Sequence, residues 1–179
     1  NTSIILTGTV SAADANTAAA LTKGTGTLTA TVAADTAANL VSGTSQVSGD
    51  ALTLTVIGAA SAADLLTLDA RTAVAVDISD VTEVTGTQAD IAAVYTGSFV
   101  GRGDEALVVT DTISAAQATT LVGLTSGVVT ATVATDAAAI LNTALTGASG
   151  GDALTLTVAA GTASALDLIA LAGKTTVPV

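Results

Sequence analysis

The chain has no cysteine, histidine, methionine or tryptophan, a single proline, and only Tyr95 and Phe99 as aromatic residues. Without cysteine there is no disulfide and no zinc–thiolate site. Without histidine or cysteine, acid–base chemistry falls to carboxylates alone, and the sequence holds no phosphate-cradling glycine loop. These absences predict that the chain is not an enzyme. Bases are nearly as scarce: Lys23, Arg71, Arg102 and Lys174 stand against fifteen acids, for a net charge of −11. Such a surface repels phosphate backbones and anionic bilayers, which excludes nucleic acid as a partner. No apolar run is long enough to span a bilayer, so no membrane insertion of this segment is expected.

What remains is half hydrophobic, almost entirely Ala, Val, Leu and Ile, enough for a continuous core but one built in thin layers. The sequence also lies on itself at a spacing of roughly a hundred residues, the mark of a tandem repeat. Ser3–Asp14 (SIILTGTVSAAD) matches Ala106–Gln117 (ALVVTDTISAAQ), GDALTLTV from Gly49 recurs unchanged from Gly151, and ADLLTLDARTAVAV from Ala63 matches LDLIALAGKTTVPV from Leu166. The expected organisation is a first repeat over residues 1–105 and a second, incomplete one over 106–179, a segment of a longer array.

A shorter unit recurs inside each repeat. Strands are expected near Ile4–Val10, Thr27–Val32, Ala51–Val56, Ala73–Asp77, Ala106–Thr112, Val128–Val133, Ala153–Val158 and Thr176–Val179, with Leu28, Ala30 and Val32 on one face and Thr27, Thr29 and Thr31 on the other. Between strands, Ser or Thr is followed three residues later by Asp or Gln: Ser11 and Asp14, Ser61 and Asp64, Thr87 and Asp90, Ser114 and Gln117, Ser164 and Asp167. That spacing starts a helix, because the hydroxyl accepts from an unsatisfied first-turn amide. Asp35 and Asp136 are expected to cap two more helices, and Gly24 and Gly127 to end helices in the left-handed conformation. Strands recur about every 22–25 residues, room for one helix and two short loops, and parallel strands joined by helices cross over right-handed. The predicted fold is α/β, a right-handed parallel α/β solenoid of strand–helix coils. Tandem compact α/β domains of about 100 residues are the alternative.

One step is longer, and the segment Asp77–Glu105 within it holds both aromatics, Arg102 and the acids Asp77, Asp80, Glu83, Asp90, Asp104 and Glu105. It is expected to be a loop plugged by Tyr95 and Phe99. Asp77, Asp80 and Glu83 are the metal candidates, oxygen ligands for Ca²⁺, although neither an EF-hand nor a calcium β-roll repeat is present; otherwise no cofactor is expected. Arg102-Gly103-Asp104 spells an integrin-recognised tripeptide, but Gly-Asp also precedes the strands at Ala51 and Ala153 and reads as a turn. The Thr-x-Thr strands could order water on a flat face, as ice-binding surfaces do, with the ladder broken at Ala73, Ala75 and Asp77.

The phrases VSAADANTAAALTKG, ISAAQATTLVGLTSGVVTATV and TQADIAAVYTG resemble the Ala/Thr/Asp-rich tandem repeats of giant cell-surface proteins of marine bacteria and cyanobacteria, some linked to surface layers, adhesion or swimming. The resemblance implies an extracellular structural role at the cell surface, as a stalk, filament or coat whose partners are neighbouring repeats or copies of itself. A ligand- or ion-binding adhesin module, including ice binding through the threonine face, is the alternative.

Overall fold

The computed structural model describes residues 1–45 and 49–179. Its elements run β1 (Ile4–Val10), α1 (Ala12–Ala19), β2 (Leu28–Val32), α2 (Ala37–Gly43), β3 (Ala51–Thr53), β4 (Thr55–Ser61), α3 (Ala62–Asp69), β5 (Val76–Gly86), α4 (Gln88–Thr96), β6 (Phe99–Val100), β7 (Ala106–Ile113), α5 (Ala115–Val122), β8 (Val129–Val133), α6 (Ala138–Ala144), β9 (Ala153–Thr155) and α7 (Ala165–Ala172). This is an α/β fold with parallel sheets and, among the described residues, seven helices. The chain divides into two compact units, Asn1–Glu83 with Ala93–Arg102, and Val84–Ala92 with Gly103–Val179. Compact α/β units fit the alternative architecture.

In the first unit β1, β2 and β3 pair in parallel in that order; in the second, β7, β8 and β9 do the same. Alternation sets the faces. Leu28, Ala30 and Val32 are buried while Thr29 and Thr31 are exposed, and β8 repeats the pattern with Val129, Ala131 and Val133. Both β1–β2 and β7–β8 carry a register irregularity at the same place, between Ile5 and Thr9 and between Val108 and Thr112. The repeat in the sequence is therefore a repeat in backbone geometry.

All five Ser/Thr helix starts cap as expected, with Ser11, Ser61, Thr87, Ser114 and Ser164 each accepting from the backbone N–H three residues on. Only Gln117 also reaches back to the cap backbone, accepting from Ser114 N–H at 2.9 Å. The shorter carboxylates of Asp14, Asp90 and Asp167 accept from the cap hydroxyl instead. Other expectations need correction. Asp35 sits one residue ahead of the α2 cap, which is Thr36, and its carboxylate accepts from Thr36 N–H and Asn39 Nδ2. Asp136 likewise precedes Ala137, the cap residue of α6, and accepts from its N–H. Gly24 has a φ of 66° but lies beyond the α1 cap at Ala20, and Gly127 is not left-handed. Gly127 is required by a close approach instead: a Cβ there would fall 2.4 Å from Glu105 O, as one at Gly26 would fall 1.9 Å from Thr2 O.

Asp77–Glu105 is not a loop. It continues as β5 through Gly86, forms α4, and returns Phe99 and Val100 to pair in parallel with Val76 and Asp77. Phe99 is buried and Tyr95 half-buried. Thr176–Val179 forms no strand; Thr176 N–H reaches Asp152 O and Val177 N–H reaches Thr175 Oγ1, while Pro178 brings no N–H to a ladder.

Leu54 and Leu156, the central leucines of the two identical octapeptides, are buried, and Thr155 beside Leu156 is exposed. Leu54→Ala or Leu156→Ala should cost about 2–5 kcal/mol in denaturant unfolding. Thr53→Ala or Thr155→Ala should cost no more than about 0.5 kcal/mol. Equal costs would reverse the assignment of faces.

Candidate functional site

The acids singled out for Ca²⁺ lie along β5. Asp77 is half-buried, Asp80 exposed and Glu83 half-buried, among the buried Val76, Ile78, Val81 and Val84. A strand rises about 3.3 Å per residue, so an extended run from Asp77 to Glu83 spans about 20 Å, far beyond the 2.3–2.6 Å ligand distances one Ca²⁺ demands. Among the described residues no three Asp or Glu side chains converge on a point that could hold a metal ion. Asp77 is engaged locally instead. Its Oδ1 accepts from Ser79 Oγ at 2.6 Å and from Ser79 N–H at 3.0 Å, and the hydroxyl first, then the amide, holds its carboxyl below the usual range.

The tripeptide at Arg102 resolves differently. The buried acid immediately before a strand is Asp50 ahead of β3 and Asp152 ahead of β9; ahead of β7 it is Glu105, whereas Asp104 is exposed. The turn equivalence drawn for Gly103-Asp104 is thus off by one residue. Glu105 Oε2 accepts from the N–H of Gly103 and of Asp104, folding the tripeptide over its own carboxylate. Arg102 donates to Val94 O and Gly97 O, the carbonyls at the end of α4.

That use of a base recurs. Arg71 donates to Val41 O and to the carbonyl and hydroxyl of Thr44 at the end of α2, and Lys174 donates to Leu145 O at the end of α6. A cation there meets carbonyls that the helix leaves unpaired and the negative end of its dipole. Beside these two bases, Thr72 and Thr175 are buried and pin the strand starts. Thr72 Oγ1 accepts from the N–H of Leu52 and of Val74 and donates to Leu52 O; Thr175 does the same for Leu154 and Val177. Sequence reasoning missed this device, although the aligned pairs Arg71-Thr72 and Lys174-Thr175 carried its signal.

The threonine face is more regular than the sequence suggested. Thr9, Thr31 and Thr53 lie side by side across β1, β2 and β3, and Thr112, Thr132 and Thr155 across β7, β8 and β9. All six are exposed. Each row spans three strands rather than two, because Thr9 and Thr112, the second threonines of Thr7-Gly8-Thr9 and Thr110-Asp111-Thr112, come into register past the irregularity. Neighbouring hydroxyls then repeat at the strand spacing of about 4.8 Å. Flanking rows are mixed, with Ile5, Thr29 and Ala51 in one unit and Val108, Thr130 and Ala153 in the other. Open hollows occur elsewhere, one of about 320 Å³ lined by residues including Asn16, Gly26 and Asp50, and one of about 110 Å³ lined by residues including Gly127 and Asp152. Both sit at strand starts, the opposite end from the strand C-termini where open α/β sheets bind ligands.

Because Asp77 is held below the usual range, its contribution to stability is present above the ordinary aspartate value of about 4 and is lost as pH falls through the depressed value. Ser79→Ala, which removes the hydroxyl, should raise the Asp77 midpoint in a ¹³C carboxyl NMR titration toward the ordinary value. An unmoved midpoint would mean that Ser79 does not hold this carboxylate. No protein-family profile, curated protein or solved structure matches the chain.

Proposed function

We propose that the chain is a structural tandem-repeat segment of an extracellular surface protein, in which strand–helix coils follow one another as a right-handed parallel solenoid to form a stalk, filament or coat. It carries no catalytic site and needs no cofactor. One observation supports this above the others: the same non-catalytic devices return at corresponding places in the two repeats. Asp50 and Asp152 accept from the first amides of β2 and β8, Thr72 and Thr175 pin β3 and β9, and Arg71 and Lys174 close α2 and α6. Every one of these side chains is spent on backbone groups, as a scaffold requires. Labelling of intact source cells with antibodies against this chain should decorate the surface; labelling that appears only after lysis would overturn the reading.

The three-strand threonine rows favour a second reading, binding to ice through ranked hydroxyls and methyls. If it holds, the chain shows thermal hysteresis that Thr31→Lys and Thr132→Lys together abolish, since both residues are the middle of a row. Absence of hysteresis in the native chain would dispose of it.

A further inference from the structure

The aligned acids Asp50 and Asp152 are equally buried, each 5% exposed, yet they differ in what they do with their second oxygen. Oδ1 of each accepts from the first amide of the neighbouring strand, Leu28 N–H and Val129 N–H. Oδ2 of Asp152 accepts from Ser149 N–H at 3.0 Å and from Ser149 Oγ at 3.5 Å. Oδ2 of Asp50 accepts from no described residue. A carboxylate oxygen withdrawn from bulk water needs a donor, and at Asp50 the protein leaves that place open.

The place is a hollow of about 320 Å³, against about 110 Å³ at Asp152. Three oxygens of its lining have no hydrogen to give. Thr22 Oγ1 donates its own to Ala19 O at 2.8 Å and Ser45 Oγ donates to Asn16 Oδ1, so both hydroxyls keep lone pairs for a guest, as Asp50 Oδ2 does. Ala19 and Ala20 add methyl groups and belong to the last turn and C-cap of α1, the negative end of its dipole. At the ends of α2, α4 and α6 the chain answers that field with Arg71, Arg102 and Lys174. The last turn of α1 holds no base, and no Lys or Arg lines the hollow.

We propose that this hollow binds an alkylammonium group. Its three N–H donors match the three acceptors of Asp50, Thr22 and Ser45, its charge answers the buried carboxylate, and its methylene stem lies along Ala19 and Ala20. The guest does at the end of α1 what Lys174 does at the end of α6. A net charge of −11 gathers cations around the whole chain, and only here does a buried carboxylate oxygen wait for one. Ca²⁺ fits poorly, because it takes six to eight oxygens and no three acids converge among the described residues. The hollow at Asp152 binds no such group, since Ser149 already satisfies the second oxygen and the space is about a third as large. The two repeats thus share a scaffold and differ in a ligand site, whatever array the chain belongs to.

Amide NMR titration of the full chain tests it, with putrescine and Nα-acetyl-lysine amide as probes. Saturable shifts should appear at Ala19, Ala20, Thr22 and Gly24 and be absent at Gly151 and Asp152. Asp50→Asn keeps an oxygen for Leu28 N–H but turns the second position into a donor, and should weaken binding at least about tenfold. Ala20→Leu, at an exposed position, fills the space without touching the charge and should do the same. Asp80→Asn removes an equal charge from an exposed strand position and should stay within about twofold of the native chain. Should Asp50→Asn fail to fold, Ala20→Leu decides. Binding by both probes assigns the alkylammonium group itself; binding by putrescine alone assigns a free diamine, and by the lysine derivative alone a lysine side chain of a partner protein. Absence of saturable shifts with either probe overturns the site, as do equal shifts at Asp152, unweakened binding by Ala20→Leu, or equal losses in Asp80→Asn and Asp50→Asn.

Discussion

The parallel strands of this chain begin with amide groups that must be satisfied away from water, and the fold depends on how that is done. A buried amide without a partner costs about 1–3 kcal/mol, so each strand start needs an acceptor built into the coil. Asp50 supplies it for Leu28 at 2.7 Å, and Asp152 for Val129 at 3.2 Å; both carboxylates are buried. Thr72 and Thr175 do it for Leu52 and Leu154 with one hydroxyl that accepts and donates at once. In each case the acceptor comes from the residues just ahead of the next strand, or from just past the following helix, so each strand start is completed by residues further along the chain.

Scarcity of bases takes on meaning in that frame. With four against fifteen acids, little charge pairing is available, and three of the four bases are placed where a cation acts without a carboxylate, on the terminal carbonyls of α2, α4 and α6. Among the acids, Asp14, Asp90 and Asp167 accept from cap hydroxyls at helix starts, and Asp50 and Asp152 accept from amides at strand starts.

Small side chains carry a second constraint. Alanine and glycine let segments approach closely: a Cβ at Gly43 would lie 2.7 Å from Ala12 Cβ, and Gly127 passes directly beneath Glu105 O. Core layers are filled by leucine and valine, with Leu28, Leu52, Leu54 and Leu65 fully buried in the first unit and Leu107, Leu121, Leu154 and Leu171 in the second. Such layers need neither tryptophan nor methionine. Thin layers also leave the threonine faces flat enough for Thr9, Thr31 and Thr53 to line up across three strands.

Local chemistry alone determined a good deal. Five Ser/Thr helix starts, the alternating faces of β2 and β8, and the internal repeat were all legible, because capping and alternation depend on neighbours within a few residues. The segment after Asp77 was not: it reads as an acidic loop, but burial of Val76, Ile78, Val81 and Val84 makes it a strand, with breaks in alternation that hide it from a period-two reading. Nor could spacing show that Asp77, Asp80 and Glu83 are strung along that strand, that Glu105 rather than Asp104 matches Asp50, or that Arg71 and Lys174 reach helices some thirty residues away. Those facts are set by which backbone groups lie close together in space. Sequence separation says nothing of that, and only the tertiary structure decided it.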